Sequence, residues 1–138
     1  MKIVLDTNCL IVCLPVTSRY YCLWQAFRDM QIILCYTTDI INEYSEVLSR
    51  FYHQQFVNDI INELLLAPNV IKGNNYYKWN LIFSDFDGNK FVDCALYTGA
   101  DFMVTNDKHF GLLKDVNFPK INVIDIDSFK QLILKSKN

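Results

Sequence analysis

Gly99-Ala100-Asp101-Phe102-Met103-Val104-Thr105-Asn106-Asp107 compresses a helix stop, a strand and a polar exit into nine residues. Lys2-Ile3-Val4-Leu5-Asp6-Thr7-Asn8 follows the same plan: a short apolar run rich in β-branched residues, then an acid and two polar groups. Apolar runs without alternation suit strands buried on both faces. Gln31–Tyr36 and Asn122–Ile124 read the same way, and a brief strand fits within residues 69–83. Leu10–Pro15 continues the apolar character past a turn-like Thr7-Asn8.

Helical spacing fills the intervals. Residues 17–29 carry Tyr20, Leu23, Trp24 and Phe27 behind a cap at Thr17 or Ser18. Thr38-Asp39 caps a helix whose apolar face is Ile40, Ile41, Tyr44, Val47, Leu48 and Phe51. Further helices are expected over about 54–66 (before Pro68), Asn89–Gly99, Lys108–Lys114 and Ser128–Lys135. Strands separated by helical segments predict an α/β fold: a parallel sheet of four or five strands, with helices on both faces. In such sheets ligands bind beyond the carboxyl ends of the strands, where Asp6 and Asp107 fall.

The 138 residues suit one domain over 1–138, with no repeat, linker or low-complexity tract. A hydrophobic content of 51% and an aromatic content of 14% argue for a compact globule over disorder. No stretch is apolar for long enough to span a membrane, and Asp6 and Asn8 interrupt the only leader-like run. Five cysteines (9, 13, 22, 35, 94) lie mostly in apolar runs without a Cys-x-x-Cys pair; they read as reduced core residues of a cytoplasmic protein rather than as a thiolate nucleophile. A net charge of −2 does not exclude a nuclease, because a bound metal neutralises such an enzyme's own acids.

Acids carry the chemistry. Asp6, Glu43, the cluster Asp85-Phe86-Asp87-Gly88-Asn89-Lys90-Phe91-Val92-Asp93, and Asp107 follow one another along the chain. Two unit charges about 4 Å apart repel by roughly 4 kcal/mol at an effective dielectric near 20. Converging acids therefore call for a counter-charge, usually a hard divalent cation such as Mg²⁺ or Mn²⁺. Each acid also has a plainer reading. Asp6 and Asp107 suit turns or helix caps, and Glu43 a rim charge about 40° from Val47, with Glu46 further round and solvated. Asp85 and Asp87 suit a helix N-terminus; the cluster lacks the register and terminal Glu of an EF-hand. Asn89 and Asp93 share a helical face, but one about 130° from the apolar centre at Phe91, Ala95 and Gly99.

Together these segments resemble the PIN domain family, small metal-dependent ribonucleases that include the VapC-type toxins of toxin–antitoxin pairs. The resemblance spans nearly the whole chain. Ile3-Val4-Leu5-Asp6-Thr7-Asn8 is similar to the family's first strand and first metal-binding Asp, and Glu43 to its second acid. Asp85 through Ala95 resembles the third motif, and Val104-Thr105-Asn106-Asp107 the fourth. The third motif often has consecutive acids where this chain has Asp87-Gly88-Asn89. Asp93 is taken as the third ligand, with Asp87 as the alternative.

The resemblance implies a PIN-like α/β/α sandwich and a toxin ribonuclease with Mg²⁺ or Mn²⁺ held by Asp6, Glu43, Asp93 and Asp107. In-line attack would leave a 5′-phosphate and a 3′-hydroxyl. Asn8, Asn89 and Thr105 are candidate water-orienting groups; Lys90, Lys108 and His109 are candidate phosphate contacts, though each also suits plain surface. The stretch Lys72 to Trp79 mixes base and aromatic in a way that suits stacking of unpaired bases or packing on the core. Six lysines among the last 31 residues suit an electrostatic footprint or a solvated face. The expected partners are RNA, a cognate antitoxin and a second copy of the chain. A PIN-fold binding module without catalysis is the alternative. A phosphatase-like hydrolase using Asp6 as nucleophile is disfavoured by Asn8, where such enzymes place their acid.

Overall fold

The computed structural model of the chain describes residues 1–74, 77–82 and 86–136. Asn75, Tyr76, Asp85 and Lys137, and the end of the 69–83 stretch, lie outside the described residues. Five strands, β1 (Lys2–Leu5), β2 (Ile33–Tyr36), β3 (Val70–Lys72), β4 (Phe102–Val104) and β5 (Val123–Ile124), form one parallel sheet in the order β3-β2-β1-β4-β5. Among the described residues six α-helices flank it: α1 (Thr7–Cys13), α2 (Tyr21–Arg28), α3 (Thr38–Leu48), α4 (Gln54–Leu66), α5 (Asn89–Thr98) and α6 (Ile126–Ser136). A 3-10 helix covers Lys108–Asp115. This is the α/β/α sandwich expected from the sequence.

β1 sits at the centre with Ile3, Val4 and Leu5 all buried, because neighbouring strands and both helical layers enclose it. Ile3, Leu5 and Leu34 meet Leu23, Trp24 and Phe27 of α2 and Phe129 of α6 on one face. On the other face α5 crosses β1, β2 and β4. Tyr44 of α3 is fully buried, and its hydroxyl donates to the Leu5 carbonyl, so the phenol's polar end is satisfied at the end of β1.

Three local expectations are corrected. Thr7-Asn8 is no turn: it opens α1, and the Asp6 carbonyl accepts from the Cys9 and Leu10 amides. Asp, Thr and Asn favour turns and helix starts alike, so composition could not separate the two. The helix expected over 17–29 begins only at Tyr21, after a bend in which the Ser18 hydroxyl accepts from the Tyr20 amide. α3 is capped one residue early, by Thr37, whose Oγ1 accepts from the Ile40 amide at 3.3 Å. It stops at Leu48, leaving Phe51 off the apolar face and 64% exposed. Gly99 ends α5 at φ 67°, a left-handed conformation that glycine adopts without strain.

Candidate active site

The chain runs outward from β1 to β2 and β3, then returns to β4 and β5 on β1's other side. The carboxyl ends of β1 and β4 therefore bound the topological switch point, where open sheets bind ligands. Asp6 is the first residue past β1, and Thr105, Asn106 and Asp107 follow β4. The Asp6 amide donates to the Val104 carbonyl at 3.0 Å, locking the two exits side by side. Thr105 Oγ1 donates to Asp6 Oδ2 at 2.8 Å and accepts from the Asp107 amide at 3.0 Å. One hydroxyl thus orients the first acid and ties it to the fourth.

Asp6 is buried, and desolvation pushes its carboxyl above the usual range. Hydrogen bonds from Thr105 and the Thr7 amide pull it down, while the charges of Asp107 and Glu43 push it up again. Asp107 stands at the solvent edge. Its Oδ1 accepts from the His109 amide at 2.9 Å and lies 2.8 Å from His109 Nδ1, so it caps the 3-10 helix while its charge acts on Asp6.

Glu43 projects from α3, next to the Tyr44 that anchors that helix to β1. One carboxylate oxygen accepts from the Thr7 hydroxyl; the other lies 2.5 Å from Lys90 Nζ. Lys90 also reaches Asp87 Oδ2 at 3.0 Å. Burial alone would lower the Lys90 ammonium, but Glu43 and Asp87 outweigh it and hold it above its ordinary value. Asp87 is correspondingly held down, first by Lys90.

α5 supplies the third motif. Its Asn89 and Asp93, one turn apart, are both buried, where helical geometry had put them well off the apolar face. Residues 77–82 cover that side, and their amides need acceptors: Trp79 donates to Asp93 Oδ1 at 3.1 Å and Ile82 to Asn89 Oδ1 at 3.3 Å. Burial raises the Asp93 carboxyl. Glu43, Lys78, Asp87, Lys90 and Asp93 line one cleft of about 550 Å³. Gly88 stands where this motif often carries a further acid. A Cβ there would stand 2.4 and 2.6 Å from Phe86 ring atoms and 2.7 Å from Phe110 Cζ, so a side chain is admitted only if those rings shift.

The acids therefore form two groups sharing Glu43. The charges of Asp107 and Glu43 both act on Asp6 at the switch point, whereas Asp93 and Asp87 line one cleft with Glu43. Among the described residues no three Asp, Glu, His or Cys side chains approach closely enough to hold a metal ion together. The donor chemistry nonetheless fits a hard divalent cation: carboxylate and hydroxyl oxygens, with both charges acting on Asp6 negative. Asp6, Glu43 and Asp107 are candidate donors for such an ion, though they do not stand close enough together to chelate it. Asn8 is exposed on α1, and Lys108 lines a separate hollow with Asp107, Lys114 and Asp125.

The sequence reading placed Tyr44 on an apolar face, Lys78 in a basic and aromatic stretch and Asn106 in the fourth motif, without giving any of them its own role at the site. Asn106 Oδ1 accepts from the Ile126 amide at 3.1 Å, fastening the β4 exit to α6; its place between Thr105 and Asp107 was the available signal. Burial raises the thiols of Cys13, Cys94 and Cys9, the last to about 12, which disqualifies them as nucleophiles.

Among the described residues no helix is long and apolar enough to cross a membrane. No curated protein and no solved structure matches the chain. A family model described as PIN domain matches residues 2–109, from β1 through all four acid motifs to the start of the 3-10 helix. With most of its length matched and the expected sheet beneath the acids, the chain belongs to the PIN domain family.

Proposed function

We propose that this protein is a Mg²⁺- or Mn²⁺-dependent endoribonuclease acting on single-stranded RNA, and the toxin of a toxin–antitoxin pair. PIN domains are typically nucleases. The observation that carries the reading is the buried Asp6 carboxylate at the β1/β4 switch point, held by Thr105 and facing Asp107 and Glu43. A bound divalent ion supplies charge neutralisation at the phosphate and a lowered pKa for the attacking water. Thr105 keeps Asp6 Oδ2 fixed, and Thr7 fixes one oxygen of Glu43. Lys90 and Lys78 bring positive charge into the cleft where phosphates would pass. For the third-motif ligand we retain Asp93, with Asp87 as the alternative; both line that cleft.

The test is cleavage of a single-stranded RNA by the purified protein. Activity should need Mg²⁺ or Mn²⁺, vanish with EDTA and vanish in Asp6→Asn while circular dichroism stays unchanged. Arrest of growth on expression, relieved by a small protein encoded beside it, tests the toxin assignment. A second reading, an RNA-binding module without catalysis, draws on Lys90 already neutralising Glu43. RNA binding without cleavage at any divalent concentration would decide for it.

A further inference from the structure

Asp93 also lines a second groove, of about 290 Å³, together with Asn74, Tyr77, Trp79, Tyr97 and Phe118. We propose that it is a base-stacking subsite, taking an unpaired base of the RNA substrate whose phosphates follow Lys78 and Lys90; this rests on the nuclease reading above. The rings are not core residues: Tyr77 is 67% exposed, Tyr97 56% and Phe118 87%. They come from three separate parts of the chain, the 77–82 segment, α5 and the stretch before β5, so the aromatic character is not the accident of one loop. Tyr77 and Trp79 stand edge to face, with centroids 4.8 Å apart.

Continuity with the cleft selects the occupant. Asp93 lines both cavities, and the Trp79 amide donates to its Oδ1. Tyr97 is one helical turn beyond Asp93 on α5, hence on the same side of that helix. Lys78 lines the catalytic cleft between Tyr77 and Trp79 in sequence, and its charge acts on Asp93. A strand with its phosphates along the lysines would carry a neighbouring base across Asp93 into the aromatic groove. The cavity is at the small end of ligand pockets, about 300–1,000 Å³, which suits one flat ring system. Stacking accepts any base, because every base has a π-face, while a base-paired strand has none free.

The chain's two tryptophans make the test direct. Trp24 is 4% exposed and Trp79 37%, so quenching by a ligand reports Trp79. Wild-type protein in EDTA should be quenched saturably by single-stranded oligoadenylate and far less by an abasic strand of equal length. Phe118→Ala, with a side chain almost wholly in solvent, should weaken oligoadenylate binding by roughly 5- to 150-fold, the value of one lost stack. Tyr97→Ala should do the same, with abasic-strand binding unchanged in both. With Mg²⁺ present, KM should rise and kcat hold. Equal oligoadenylate affinity in wild type and Phe118→Ala overturns the subsite, as does an equal loss for the abasic strand; the groove would then serve another protein or none. A wild-type protein that binds without cleaving fails the nuclease reading and leaves the subsite standing.

Discussion

Lys90→Met removes an ammonium from between two carboxylates while keeping the bulk of the stem. Nζ lies 2.5 Å from Glu43 Oε1, a separation worth about 1.7 kcal/mol in bulk water and about 6.6 kcal/mol at an effective dielectric of 20. The two side chains are 17% and 19% exposed, so the pair stands between these limits and desolvation offsets much of the attraction. Asp87 is 84% exposed and adds less than about 1 kcal/mol. Truncating one partner of a fully buried pair costs about 3–5 kcal/mol and of an exposed pair up to about 1 kcal/mol. A loss of about 2 kcal/mol follows for this half-buried one. At about 2.1 cal/mol/K of unfolding entropy per residue, that lowers Tm by about 7 °C for a chain of this length.

Thermal melts in EDTA measure the loss, and Glu43→Gln closes a double-mutant cycle. The double variant should fall short of the sum of the singles by most of the 2 kcal/mol, because either change alone already breaks the pair. Repeating the melts in Mg²⁺ asks a separate question. If Lys90 stands where positive charge is needed, a divalent ion should stabilise Lys90→Met more than wild type, having no ammonium to displace from Glu43. Additive single mutants would refute the ion pair. Equal stabilisation by Mg²⁺ would refute the competition.

Other perturbations test neighbouring parts of the site. Because burial raises the folded-state pKa of Asp6, its favourable contribution is complete below the unfolded value near 3.8 and is lost as pH rises through the raised one. Asp6→Asn should therefore melt higher than wild type at neutral pH in EDTA, by about 1.4 kcal/mol for each tenfold rise in proton affinity; a lower melting temperature at pH 7 contradicts the electrostatics. Gly88→Ala should destabilise by about 1–3 kcal/mol through overpacking against Phe86 and Phe110, read in urea melts, and an unchanged midpoint would mean that the rings move aside freely. Asp93→Asn keeps an oxygen for the Trp79 amide, so the fold should stand while the Mg²⁺ requirement for cleavage rises well above that of Asp87→Asn. A loss confined to Asp87→Asn moves the third-ligand role to that residue.

The sheet was legible because its central strands are short, apolar and followed at once by polar exits. Lys2–Leu5, Phe102–Val104 and Val123–Ile124 form strands within a residue of where the alternation-free runs place them. Helix starts were harder. Thr7, Ser18 and Thr37 all have side chains that serve turns and caps equally: Ser18 and Thr37 accept from the nearby Tyr20 and Ile40 amides, whereas the Thr7 hydroxyl donates to Glu43, far away in sequence. Phe51 misled for a related reason: spacing continued the apolar face of α3, but the helix ends three residues earlier and the ring faces water.

The third motif marks where sequence reasoning stops at a physical boundary. A helical wheel divides a helix into one buried face and one wet face, and α5 does not have that choice. The sheet covers one side and residues 77–82 cover the other, so positions 89 and 93 are buried although polar. Backbone laid over a helix brings amides that need acceptors, and a polar pair four residues apart provides them one turn after another. Of this pair, which the wheel sets off the apolar face, Asn89 lines the cleft and Asp93 lines both the cleft and the aromatic groove. Gly88 belongs to this arrangement. With the Phe86 and Phe110 rings standing where a Cβ would go, a residue larger than glycine after Asp87 would have to push them aside, which disfavours a carboxylate there and leaves Asp87 and Asp93 as the acids that line this part of the cleft.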